Sequence, residues 1–109
     1  MSDISVLTQK LIAFRDARDW KQFHNPKDLA LALSIESSEL LEVFLWKTSE
    51  QASKDKIKEE LADVLAYAFL LAHECDLDIT EIVSNKIEKN DLKYPVDQAK
   101  GSSKKYNEI

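Results

Sequence analysis

Two pairs of carboxylates stand inside otherwise apolar segments. Glu36 and Glu39 fall within LALALSIESSELLEVFLW, and Glu60 and Asp63 fall within KEELADVLAYAFLLA. Each pair has i, i+3 spacing, so on a helix its members share a face. Carboxylates set among hydrophobic side chains need partners or a cation. Four of them aimed at one point offer only hard oxygen donors, which suits Mg²⁺, with Mn²⁺ as a possible substitute.

Angular position separates these acids from ordinary surface charge. With Glu36 as origin, Leu29, Ala32, Leu40 and Val43 fall within about 40° of it, and Glu39 lies about 60° to one side. Glu42 sits about 120° away and reads as solvated, as does Glu50 in the following loop. From Leu61 to Ala72, Asp63 is the only charged residue. A helix that is apolar all round is a buried one. Asp63 shares its face with Glu60, Tyr67 and Leu70. Lys56 and Lys58 are the only basic residues near that face, toward its solvated end. A shared metal therefore accounts for these acids better than ion pairing does.

The elements that must hold the acids are helical. The chain has 109 residues, one Gly and two Pro, with abundant Leu, Ala, Glu and Lys. That length suits one domain, and the scarcity of breakers favours long helices. The patterning predicts an all-α, four-helix bundle-like protomer without strands. Helix one is expected over residues 4–19, with Val6, Leu7, Leu11, Ile12 and Phe14 as its apolar stripe. A connector follows to Pro26. Asn25 is the expected N-cap of helix two, with Pro26 at its first position, and the helix is expected to continue to Trp46. After a polar loop over 47–54, Ser53 is the expected cap of helix three, which extends to about Cys75. Thr80 is the expected N-cap of helix four, with Glu81 in its first turn, and this helix ends before Pro95. Residues 1–95 form the expected domain. The segment PVDQAKGSSKKYNEI changes character, and 96–109 reads either as a solvated tail or as a mobile segment that closes over an anion.

A chain this short buries an all-round apolar helix poorly by itself. An obligate homo-oligomer is expected, with helices two and three packing across the subunit interface. The net charge of −5 argues against a nucleic acid polymer as partner. Cys75 is alone, which excludes a disulfide framework, fits a reducing cytosol and suits a small core residue. The opening MSDISVLTQK has no signal-peptide character, and no apolar run approaches the ~20 residues that span a membrane. A cytoplasmic location follows as an expectation.

Beyond the acids, the segments RDWKQFHNPKDL, FLWK, EELADVLAY and SSKKY carry a resemblance along essentially the whole chain. Together with ExxE followed by ExxD on successive helices, they resemble the MazG-like all-α nucleoside triphosphate pyrophosphohydrolases, most closely the dCTP pyrophosphatase branch. The resemblance implies hydrolysis of a (deoxy)nucleoside triphosphate to the monophosphate and pyrophosphate, with dCTP or a modified pyrimidine nucleotide preferred. It implies Mg²⁺ held by Glu36, Glu39, Glu60 and Asp63, with Glu36 or Glu39 taking a proton from the attacking water. It further implies a homotetramer built as a dimer of dimers. Trp20 and Trp46 match base-lining aromatics, His24 matches a histidine near the pocket, and Tyr67 matches a nucleotide-contacting tyrosine. Lys86 and Asn90 match residues that hold phosphate or sugar, and Lys104 and Lys105 match a phosphate clamp. Residue 11 is Leu where the animal enzymes carry His, and the loop after Trp46 is shorter than theirs.

Two rivals differ in class. A ferritin-like di-iron protein needs Glu-x-x-His on two helices, and neither His24 nor His73 follows a Glu by three residues. A non-catalytic helical dimerisation or adaptor module explains the apolar faces, but not why Glu36 and Asp63 interrupt them.

Overall fold

A computed structural model describes residues 2–109. Side-chain caps set the helix starts. Helix α1 is Asp3–Asp16, and Ser2 Oγ accepts the Ser5 N–H at 3.1 Å. Helix α2 is Pro26–Glu42, with Pro at its first turn and Asn25 Oδ1 accepting the Asp28 N–H at 2.9 Å. Helix α3 is Lys54–Glu74, capped by Ser53 Oγ on the Lys56 N–H at 3.4 Å. Helix α4 is Ile79–Lys93, and a single turn, α5, follows at Val96–Ala99. No strand occurs among the described residues, so the chain is all-α.

Three boundaries differ from the sequence-based expectation. Asp78, not Thr80, caps α4: its backbone is extended and its Oδ1 accepts the Glu81 N–H at 2.9 Å. A full carboxylate charge at that position also meets the positive end of the helix dipole. Helix α1 stops three residues early because Asp19 turns left-handed, with φ of 55°. Asp tolerates that region better than most residues do. Helix α2 stops at Glu42 instead of reaching Trp46. Val43, Phe44 and Leu45 donate to the carbonyls of Leu40, Leu41 and Glu42, a tighter winding, and Trp46 then takes φ of 58°. A β-branched and aromatic run is a poor continuation for a helix.

The chain divides into two compact units, the first ending at Leu77 and the second being Asp78–Ile109. In the first, α3 is central; α2 packs along it extensively and α1 more sparsely. Leu29 is 1% exposed and, with Leu70 and Ala72, forms the fully buried apolar core of the described residues. Much apolar surface stays open, including Leu31, Ile35, Leu41 and Leu45 on and beyond α2 and Leu61 and Leu65 on α3. Helix α3 is therefore not enclosed within one chain, and Asp63 on it is exposed. Within one chain, the helices packed against α3 leave part of its apolar surface open. Cys75 is likewise exposed, at the C-cap of α3, and is not a core residue. In the second unit, the Tyr94 and Tyr106 rings meet edge to face at 6.2 Å, and Lys93 Nζ lies 4.9 Å from the Tyr106 ring. Among the described residues, no helix is long and apolar enough to cross a membrane.

Candidate active site

Helices α2 and α3 pack extensively on each other, and Glu36 of α2 meets Glu60 and Asp63 of α3. Glu36, Glu60 and Asp63 each present one carboxylate oxygen, and these oxygens lie within 4.8 Å of one another. Three like charges at that separation repel strongly unless water, a proton or a cation intervenes. Glu36 shows the consequence. Its carboxyl is pushed up to about 7, first by burial, then by a hydrogen bond with Glu39 and by the negative charges of Glu39, Asp63 and Glu60. Glu60 is also raised, again mainly by burial and then by Glu39, Asp63 and Glu59. Glu39 is exposed, and with Glu60 it lines an acidic cleft that also includes Glu42, Glu59 and Lys56.

Glu36 Oε2 and Glu60 Oε2 are shielded from solvent and have no hydrogen-bond partner. Buried polar atoms are nearly always satisfied, so an orphaned pair on converging carboxylates calls for a missing partner. The donor set is all carboxylate oxygen, which fits a divalent cation. The cluster can thus hold a metal ion through Glu36, Glu60 and Asp63.

A cavity of about 390 Å³ adjoins the cluster and shares Glu36 and Asp63 with it. Its apolar wall is Leu11, Phe14, Ala66 and Leu70, and its polar and aromatic groups are Arg15, Trp20, His24 and Tyr67. Trp20 meets Phe14 edge to face at 5.7 Å, and His24 meets Tyr67 at 6.4 Å. Burial lowers the His24 imidazole, aided by the Arg15 charge and partly opposed by Glu74. Its Nδ1 is buried without a partner. Burial also raises the Tyr67 phenol, with Glu36, Asp63 and Glu39 adding to the effect, so the hydroxyl keeps its proton and can donate. The lining joins the carboxylates of Glu36 and Asp63 to aromatic and apolar side chains. That combination suits a ligand with a charged, metal-binding end and a planar ring.

Three kinds of relative resemble this chain. The MazG-like family matches residues 31–109. The chain belongs to the MazG-like family. Human dCTP pyrophosphatase 1 is 40% identical over 104 residues, covering 88% of this chain and 61% of that protein. The Rattus norvegicus dCTP pyrophosphatase 1 is 41% identical over the same length, again covering 61% of that protein. This MazG-like chain thus spans about three fifths of the curated relatives it matches. It also superposes on the crystal structure of a pyrophosphatase from Archaeoglobus fulgidus with a TM-score of 0.80 and 40% identity, covering 87% of this chain and 94% of that one.

The first unit brings together Trp20, His24, Glu36, Asp63 and Tyr67 around the cavity, and Glu36, Glu60 and Asp63 at the cluster. Trp46 lies outside both, 93% exposed in the turn after α2. Lys86 and Asn90 belong to the second unit, where they line a shallow depression with Ile82, Val83 and Ile87. Lys104 and Lys105 are exposed there too, and the Lys104 N–H donates to Ser102 Oγ at 3.2 Å. Arg15 escaped sequence reasoning, yet it is 2% exposed and lines the cavity. Its signal was available: Leu11 and Phe14 place it on the apolar face of α1, where an arginine needs a reason to be.

Proposed function

We propose that this chain is a nucleoside triphosphate pyrophosphohydrolase, cleaving between the α- and β-phosphates to give a monophosphate and pyrophosphate. The observation that carries the reading is the adjacency of the carboxylate cluster and the aromatic-walled cavity, joined through Glu36 and Asp63. The preferred cation is Mg²⁺, because every donor is a carboxylate oxygen. The names of the human and rat relatives support dCTP as the preferred nucleotide.

Glu36, Glu60 and Asp63 would hold the cation, with Glu39 at the cluster's open edge. When bound, the cation neutralises phosphate oxygens and helps orient the attacking water. The chain's own residues do the rest. Trp20 and Tyr67 accept the base against aromatic surface, and the Tyr67 hydroxyl donates a hydrogen bond. Glu36 or Glu39 would take the proton from the attacking water. No side-chain nucleophile is needed.

The open apolar surface supports self-association, and the family resemblance favours a tetramer built as a dimer of dimers. Leu41 is 72% exposed, and Leu7, Phe14, Leu65 and Phe69 line a second, almost wholly apolar hollow of about 430 Å³ between α1 and α3. So few buried residues would leave an isolated 109-residue chain short of hydrophobic stabilisation.

The test is pyrophosphate release from a panel of deoxy- and ribonucleoside triphosphates with Mg²⁺, Mn²⁺ and EDTA. Release of pyrophosphate, and not orthophosphate, only with a divalent cation is the expected result. Absence of hydrolysis together with absence of Mg²⁺ binding by calorimetry would leave the adaptor-module reading in its place.

A further inference from the structure

Among the described residues, one side chain–side chain hydrogen bond joins two helices. Arg15 Nη1, in the last turn of α1, donates to Glu74 Oε1, in the last turn of α3, at 2.6 Å. Arg15 Nε donates to its neighbour Asp16 at 3.1 Å. All other side chain–side chain bonds lie within a few residues in sequence. A guanidinium this deeply buried is rare and needs both charge and hydrogen-bond compensation. Such a pair is weak evidence for stability, because apolar residues of similar size often serve as well. Its position suggests another use.

The backbone of Arg15 does a second job. Its carbonyl accepts the N–H groups of Arg18 and Trp20, both at 3.1 Å, across the left-handed turn at Asp19. The residue bonded by side chain to α3 is therefore bonded by main chain to Trp20. Arg15, Trp20 and His24 then line the same cavity as Leu70, one turn before Glu74 on α3. Trp20 and His24 sit on a connector with a single 3₁₀ turn, Lys21–Phe23, and no long-range backbone bond of its own. The far end of the connector is held where it enters α2; at its near end, the Arg15–Glu74 bond is the side-chain hydrogen bond that ties it to α3.

We propose that the Arg15–Glu74 pair is the positioning element of the cavity's aromatic wall, setting the distance of Trp20 and His24 from Tyr67 and so the fit of the base. The inference rests on the cavity being the base pocket. Arg15 acts through Trp20, so it is a positioning residue.

The experiment uses the full chain with Mg²⁺ and compares wild type, Arg15→Lys and the double variant Arg15→Met/Glu74→Met. The double variant removes both charges and leaves neither unpaired, so it keeps the fold where a single removal can lose it. Three readouts are taken: kcat and KM across the four deoxynucleoside triphosphates, Mg²⁺ binding by calorimetry, and the ring resonances of His24 by NMR. The last are simple to follow because the chain has two histidines. The expected result is a KM for the preferred nucleotide raised about tenfold or more, since small displacements of binding groups are expensive. Discrimination among bases narrows, and the His24 resonances shift. Mg²⁺ affinity stays within about twofold, as for independent sites. Arg15→Lys, which keeps the charge but loses the fork, falls between the two. A folded double variant with wild-type KM, wild-type selectivity and unmoved His24 resonances overturns the proposal. A wild type whose KM is indifferent to the base, with the NMR contact between the His24 and Tyr67 rings lost in the double variant, overturns the base-pocket reading and upholds the positioning role.

Discussion

Replacing Glu36 by Gln should stabilise the cation-free protein and destabilise it relative to wild type once Mg²⁺ is added. Glu36 titrates near 7 in the fold against 4.5 for the free side chain, chiefly because burial disfavours its charge. Between those two values the unfolded chain has released its proton and the folded one has not. The unfolded state therefore binds fewer protons, and stability falls as pH rises from 4.5 through about 7. The interaction is fully present below that window and lost above it. At about 1.4 kcal/mol per pH unit the unscreened difference would reach about 3 kcal/mol, and partial solvent access reduces this to about 1–2 kcal/mol. Glutamine keeps the shape and does not ionise, so it escapes the loss. At pH 8 in EDTA, and at one fixed protein concentration, the variant should melt about 4–8 °C above wild type, with no difference at pH 4.5. Mg²⁺ reverses the order. A cation at a hundred times its Kd stabilises the wild type by about 2.7 kcal/mol, and the variant, lacking a ligand charge, gains much less. The assay is thermal unfolding at both pH values with and without Mg²⁺. A variant that melts below wild type in EDTA at pH 8, or one that retains the full Mg²⁺ shift, refutes the reasoning.

Asp63→Asn should lower pyrophosphate release at least about a hundredfold with the circular dichroism spectrum unchanged, because a ligand charge is lost from an exposed position. Trp20→Ala should raise KM about tenfold to a hundredfold with kcat less affected, as loss of base stacking at about 1–3 kcal/mol requires; steady-state kinetics separates the two. His24 should titrate below 6.5 by NMR, and Arg15→Met should raise that value by removing the neighbouring positive charge. Since protonation of His24 is disfavoured in the fold, stability from this group declines as pH falls through 6.5. Asp78→Ala should destabilise by about 0.5–2 kcal/mol in urea unfolding, while Thr80→Ala, which removes no cap, should have little effect.

Several features needed nothing beyond the order of residues. The helical class follows from one Gly, two Pro and unbroken apolar periodicity. The caps at Asn25 and Ser53 are local, since a side chain reaches an amide only three residues on. The sequence grouped Glu36, Glu39, Glu60 and Asp63 because acids at i, i+3 spacing on apolar faces need company, whereas the structure clusters Glu36, Glu60 and Asp63 and leaves Glu39 exposed. Other features were settled by contacts the sequence does not display. Whether α2 reaches Trp46 depends on how the chain turns after Glu42, and whether Asp78 or Thr80 caps α4 depends on which of them is extended. The sequence pattern makes α3 apolar all round, yet Asp63 and Leu61 are exposed because the helices packed most closely on it, α2 and α1, leave part of its surface open within one chain. Arg15 is the clearest case. Its partner Glu74 lies 59 residues away, and no local rule pairs them. Helix periodicity assigns each side chain to a face, but tertiary packing decides what stands opposite, and a buried charge is explained only by what it meets there.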